Sequence, residues 1–251
     1  TNWHPGDYPP MPPIVANGRK PTVYACGWCH RADGTGGPEN ANLAGLPEAY
    51  FIQQVADMKS GKRKTSVDKR LPQVAMWDAI QDISDEEVRQ AAKYFASIKP
   101  RWSVKVVEAD TIPKSTVGGW FNMAVPGNES EPIGRRVVEV PEHLEQFESR
   151  DPRAKFIAYV PKGSIKRGED LVTTGAGKTL PCATCHGPDL KGMDAIPPIV
   201  GRWPSYIARQ LYDLQSGARN GAVAVLMKPV VEKLDNDDLV ALSAYLASRA
   251  P

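Results

Sequence analysis

The chain lacks several features that would place it in a broad functional class. Its formal net charge is only +2, so the basic excess typical of nucleic-acid-binding proteins is missing. No run of about 18 apolar residues occurs, so no transmembrane helix is expected. It starts at Thr1 without a charged-then-apolar leader, which we interpret as the mature form of an exported, soluble protein.

Cysteine and histidine are also scarce, with four residues of each. The cysteines form two pairs with two residues between their members: Cys26 with Cys29, and Cys182 with Cys185. Such pairs are compatible with a disulfide, a zinc site or a thioredoxin-type redox pair. The residue after each pair is a histidine, His30 in one case and His186 in the other.

Segments 26–30 and 182–186 therefore match the C-x-x-C-H signature of covalent haem attachment. The two thiols form thioethers with the porphyrin vinyl groups, and the histidine binds the iron. Only His4 and His143 remain outside the motifs, and no cysteine remains, so two zinc sites would lack their usual ligands. The motifs predict two covalently bound haem c groups, with His30 and His186 as iron ligands.

The chain also contains an internal repeat. A constant offset of 156 relates the two motifs and six further pairs. These pairs are Gly45 and Gly201, Tyr50 and Tyr206, Gln54 and Gln210, Asp57 and Asp213, Ser60 and Ser216, and Gly61 and Gly217. Apolar spacing predicts one helix over 50–61 and its copy over 206–217. The last helices, which start near Ser84 and Asp235, are related by an offset of 151.

The repeat also suggests the second axial ligand that an electron-transfer haem needs, usually Met or His. Met76 and Met227 correspond at the offset of 151, and both precede the last helix in a stretch that we expect to be a loop. Met58 corresponds to Leu214, which indicates core packing. We therefore predict Met76 and Met227 as iron ligands.

The sequence also suggests other groups that would surround the haems. The second imidazole nitrogen of each iron-binding histidine needs an acceptor, and a backbone carbonyl near Pro197 would serve. The candidate donors to the haem propionates are Arg202, Tyr50, Tyr206, Gln54 and Gln210. A run of cations over 59–70 suggests a positive rim for docking an acidic partner, or simply a solvated surface.

These motifs resemble the two-haem cytochrome c4 type, whose halves are class I cytochrome c domains with His/Met ligation. The resemblance implies a mainly α fold, with two tandem class I cytochrome c-like helical domains and an enlarged, irregular connector with minor β. We expect a first domain over 1–98 with a Pro-rich arm, an ordered connector over 99–162, and a second domain over 163–251. Strand-like runs lie at 104–108, 137–140 and 156–160.

The function expected from the resemblance is single-electron transfer between redox partners in the bacterial periplasm, without enzymatic activity. The partners would be a dehydrogenase, an oxidase or another cytochrome. A dedicated electron-acceptor subunit of a periplasmic dehydrogenase is the alternative, and a haem enzyme is a further one. Two methionine ligands would close both irons and so disfavour the enzyme.

Overall fold

The first half of the chain is a small helical unit in the computed structural model, which describes residues 4–251. Its helices are α1 (Pro13–Ala16), α2 (Cys26–His30), α3 (Glu48–Lys59), α4 (Leu71–Ile80) and α5 (Asp85–Ala96), preceded by a 3-10 turn at Pro5–Asp7. Helix α5 starts with the predicted capping box, in which Ser84 and Glu87 bond each other's backbone N–H. Helix α3 ends before Gly61, whose φ of 71° is left-handed and suits glycine.

The connector folds into seven short strands and one short helix. Its elements are β1 (Val104–Glu108), β2 (Thr111–Pro113), β3 (Ser115–Gly118), β4 (Phe121–Ala124), β5 (Ser130–Pro132), β6 (Val138–Pro141), α6 (Leu144–Glu148) and β7 (Phe156–Val160). Strand β7 pairs in parallel with β1 and antiparallel with β6 to form a three-stranded sheet. The three strand-like runs of the sequence are the three strands of this sheet. The other pairs, β2 with β5 and β3 with β4, are antiparallel.

Alternating burial along β7 ties the connector to the rest of the molecule. Phe156, Ala158 and Val160 are fully buried, whereas the residues between them are half-buried. Phe156 packs edge-on against Trp203 of the second half at 5.1 Å between ring centroids. Trp203 in turn donates from Nε1 to Thr35 O of the first half at 2.7 Å. The connector is therefore an ordered part of the structure.

The second half repeats the helical unit. Its helices are α7 (Ser164–Thr174), α8 (Ala183–His186), α9 (Pro204–Gln215), α10 (Lys228–Val231) and α11 (Asn236–Ala247), with 3-10 turns at Gly175–Gly177 and Ala224–Met227. Helix α7 crosses α11 so closely that a Cβ at Gly168 would lie 2.0 Å from Ala241 O. The matching helix of the first half is only the four-residue α1, as the Pro-rich arm predicts. Among residues 4–251, no helix has the length and apolar character needed to cross a bilayer.

Candidate functional site

Helix α2 presents the first C-x-x-C-H motif. Its last residue, His30, is buried, and its Nδ1–H donates to Ala41 O at 2.8 Å. This bond fixes the tautomer and leaves Nε2 available to bind a metal. Burial lowers the pKa of His30, so the imidazole is neutral at neutral pH, as ligation requires.

The second motif has the same arrangement. His186 is also buried, and its Nδ1–H donates to Pro197 O at 2.8 Å. Ala41 and Pro197 are themselves related by the offset of 156, so the predicted backbone acceptor occurs in both halves. Burial lowers the pKa of His186 as well. Every residue has a backbone carbonyl, so the acceptor is kept although the residue changes from Ala41 to Pro197.

A deep cleft adjoins the first motif. It encloses about 1240 Å³, including its open mouth, which is ample for a large planar ligand. Cys26, Cys29 and His30 lie on one side, and Met76 also lines the cleft. Its apolar walls are Leu43, Leu46, Phe51, Val55, Ile80, Ile83 and Ala91.

The backbone conformation around the two predicted methionine ligands differs from the prediction. Met76 is on helix α4, and Met227 ends the 3-10 turn at Ala224–Met227, so the expected loops are helical turns. Met76 packs on the first core and Met227 on the second. Met58 of α3 also lines the cleft, and its counterpart Leu214 is buried. The choice of Met76 over Met58 still depends on the repeat.

A feature that the sequence did not predict is an exchange of arginines between the halves. Arg63 donates to Gln54 Oε1 of its own half at 3.1 Å, and to Tyr206 OH and Gln210 Oε1 of the other half, both at 3.0 Å. Its counterpart Arg219 mirrors this pattern. It donates to Gln210 Oε1 at 3.0 Å, to Tyr50 OH at 3.3 Å and to Gln54 Oε1 at 2.9 Å.

The backbone follows the same pseudo-twofold relation. Lys64 N–H donates to Ala218 O, and Asn220 N–H donates to Lys62 O, both at 2.8 Å. As a result, Tyr206, Arg209 and Gln210 of the second half line the cleft of the first. The offset of 156 continues past Gly61 and relates Arg63 to Arg219. This correspondence was the sequence signal for the exchange.

Arg202 lies in the same contact between the halves. It is buried, and its Nη1 donates to Asn42 Oδ1 at 2.9 Å and to the carbonyls of Asn42 and Ala44. Its Nε and Nη2 are buried without a hydrogen-bond partner. Buried guanidinium donors are rarely left unpaired, so the site calls for a further acceptor, and an anionic group such as a propionate fits.

The fold removes two of the six cations of the predicted positive rim over 59–70. Arg63 is buried in the contact between the halves, and Arg70 is paired with Glu39. Lys59 donates to Ile83 O at 2.9 Å. Four of the six cations, Lys59, Lys62, Lys64 and Lys69, are exposed and outside any ion pair that the structure describes. The sequence shows that these cations are close together along the chain, but the burial of Arg63 depends on contacts with the second half.

The residues present fit haem c. All four cysteines are free of disulfide bonds. Burial raises the pKa of Cys26 to about 12 and that of Cys182 to about 11. Of the two histidines outside the motifs, His143 is exposed on the connector, and His4 lies beside Arg153. The cleft, the motif and the unpaired Arg202 donors together match a macrocycle with anionic substituents.

Comparison with known proteins agrees with this geometry. The family model "Cytochrome c" matches residues 15–99. Cytochrome c4 of Azotobacter vinelandii is 27% identical over 228 residues, which cover 88% of this chain and 82% of that protein. Cytochrome c-554(548) of Halomonas halodenitrificans is 31% identical over 88 residues, which cover 35% of this chain and 98% of that protein.

Two further relatives extend over both halves. The thiosulfate dehydrogenase electron acceptor of Thiomonas intermedia is 24% identical over 234 residues, or 91% of this chain and 80% of that protein. The crystal structure of reduced recombinant cytochrome c4 from Pseudomonas stutzeri aligns with a TM-score of 0.56 and 26% identity, covering 89% of this chain and 93% of that one. The chain therefore belongs to the cytochrome c family and is of the cytochrome c4 type.

Proposed function

We propose that the chain binds two haem c groups, one in each half, through two pairs of cysteines. The pairs are Cys26 with Cys29, and Cys182 with Cys185. Each thiol adds across a vinyl group, so that an S–C and a C–H bond replace the S–H bond and the C=C π bond without any oxidant. The observation that carries the proposal is the identical setting of the two histidines, each with Nδ1–H bonded to a carbonyl at 2.8 Å.

The proposed iron ligands are His30 with Met76 in the first half and His186 with Met227 in the second. The carbonyls of Ala41 and Pro197 orient the imidazoles. A bound haem c supplies one-electron exchange at its iron. The apolar walls of the cleft exclude water from the ring, and the buried donors of Arg202 stand ready for a propionate.

As a member of its family, the chain is an electron carrier, and we place its work in the bacterial periplasm. Its partners would be redox proteins such as a dehydrogenase, an oxidase or another cytochrome. With methionine on both irons, neither haem offers an open position for a substrate, so we propose that the chain is a carrier and has no enzymatic activity. A net charge of +2 gives no support to nucleic-acid binding.

A second candidate is a dedicated electron acceptor of one dehydrogenase. Relatives named as thiosulfate dehydrogenase electron acceptors match over 91% and 92% of the chain, which supports this candidate. The two functions differ in how many partners reduce the protein quickly. Stopped-flow reduction by several periplasmic dehydrogenases separates them: one fast donor indicates the dedicated role, and several indicate a general carrier.

Mass spectrometry of the denatured chain tests the haem proposal. Two haem masses should remain attached, because thioethers survive denaturation. The double variant Cys182→Ser/Cys185→Ser should retain one, and Cys26→Ser/Cys29→Ser should retain the other. A wild-type chain, produced with a haem-attachment system, that carries one haem or none would refute the proposal.

A further inference from the structure

The connector caps the first attachment segment. Arg150, which follows α6, donates from Nη2 to Gly27 O at 2.7 Å and to Trp28 O at 3.1 Å, although it lies 123 residues from Gly27. The last carbonyls of a short helix such as α2 have no partners within the helix. An arginine is well suited to satisfy them. The connector therefore supplies the C-terminal cap of the helix that carries the first motif.

The connector also supports the residue that follows His30. Arg31 has a left-handed φ of 64°, a conformation that side chains with a Cβ rarely adopt. Its Nη2 donates to Phe147 O at 2.9 Å, and its guanidinium lies 4.0 Å from the centre of the Phe147 ring. The corresponding residue of the second half is Gly187, with a φ of 83°. Glycine adopts this conformation without help.

The two attachment segments consequently differ in charge. The first is flanked by the guanidinium groups of Arg31 and Arg150. Asp33 adds one nearby carboxyl group, which is also buried. In the second half, Gly187 is uncharged, and Asp189, the counterpart of Asp33, is exposed to water. The first segment thus carries an excess of at least one positive charge, held at a site that the connector shields from solvent.

The other charges that face this cluster do not cancel the excess. Arg101 is paired with Asp7 at 3.2 Å, and Arg153 with Asp151 at 2.8 Å. Solvent exposure differs in the same sense, since Cys29 is half-buried whereas its counterpart Cys185 is exposed. Both charge and exposure are factors that set the reduction potential of a protein-bound redox centre.

We propose that Arg31 and Arg150 make the first haem the higher-potential one of the two, so that an electron entering the protein settles on the first half. The inference rests on the proposed function, because it requires a haem in each half. Reduction removes one positive charge from the haem. Nearby cations favour the reduced state, and do so more strongly where water is excluded. Phe147 acts as a positioning residue, since it holds the Arg31 guanidinium.

Potentiometric titration of the full-length, haem-loaded chain tests this inference. Arg31→Gly is the key variant, because its left-handed backbone suits glycine and reproduces the second half. We expect its higher potential to fall, with the constant for electron distribution between the haems changing about tenfold, which is about 59 mV for one electron. Arg150→Gln should act in the same direction. Arg31→Lys, which keeps the charge, should stay near the wild type.

Assignment and controls use the second half. Met227→Ala perturbs the second haem, so the potential that it leaves in place belongs to the first. Asp189→Asn should move only the lower potential. The inference is overturned if Arg31→Gly shifts the lower potential, shifts both equally or shifts neither, or if Arg31→Lys falls as far as Arg31→Gly. The haem count is measured first, and a count below two refutes the proposed function rather than this inference.

Discussion

Glu139 of β6 has a carboxyl group that is buried inside the protein. Replacing Glu139 with glutamine should change how the free energy of unfolding depends on pH. Only 2% of the residue is exposed, and its Oε1 has no hydrogen-bond partner. Its Oε2 accepts from Ser205 N–H at 3.3 Å. Burial raises the pKa of Glu139 from 4.5 to about 7, although Ser205 and Arg209 act in the opposite direction. The protonated form is therefore favoured in the folded protein.

The sign of the effect follows from proton binding. Between pH 4.5 and about 7 the folded protein holds a proton on Glu139 that the unfolded chain has released. Stability from this group is fully present below the unfolded pKa and is lost as the pH rises through the folded pKa. Each pKa unit corresponds to about 1.4 kcal/mol, so the free energy of unfolding should lose roughly 3 kcal/mol across this window.

Glu139→Gln removes the titration, so the variant should gain stability relative to the wild type by roughly 3 kcal/mol from about pH 4.5 to about pH 8. The measurement is denaturant unfolding followed by far-ultraviolet circular dichroism at several pH values, with the slope on denaturant held as a check. The control is Glu142→Gln, which changes an exposed carboxyl group on the same connector. A difference between Glu139→Gln and wild type that stays flat across the range would refute the reasoning.

Other predictions concern the irons and the contact between the halves. Met76→Ala and Met227→Ala should each convert one haem, and only one, from low to high spin and lower its potential. Met58→Leu, which introduces the residue found at the matching position of the second half, should do neither. Electron paramagnetic resonance measures the spin state. The reduced wild-type protein should form no carbon monoxide complex at neutral pH, and fast binding seen by absorbance would indicate an open iron. Arg63→Met should strand its partners in both halves and cost about 1–3 kcal/mol of unfolding free energy, and Arg219→Met should cost a similar amount; a loss confined to one half in hydrogen exchange would contradict the exchange of arginines.

Much of the fold was predictable because it repeats. Capping residues such as Ser84 and Asp235, and the strand runs of the connector, are local signals that the structure confirms. The carbonyl acceptors at Ala41 and Pro197 were predictable because a repeat preserves backbone position even where side chains differ. The histidine, cysteine and methionine assignments remain predictions that the structure is consistent with.

The missed features share a different origin. Helix α4 was expected to be a loop because its mostly apolar sequence has no distinct apolar face and so lacks the periodicity that indicates a helix. Arg63 was assigned to the surface because its partners Tyr206 and Gln210 lie more than 140 residues away. The contacts of Arg150 with the first motif span 123 residues. Such pairings depend on how the halves and the connector assemble, which no local pattern records.

The exchange of Arg63 and Arg219 has a consequence for the origin of the molecule. A contact in which both partners contribute the same residues to each other is isologous, the kind that joins identical subunits in a twofold dimer. A single-domain ancestor that carried the same arginine, tyrosine and glutamine would have had the donors and acceptors for a twofold dimer through these bonds. Joining two copies in one chain turns that association into an intramolecular one, with a far higher effective concentration. Once fused, the two halves no longer needed to stay identical, and the connector could form contacts with the first attachment segment alone.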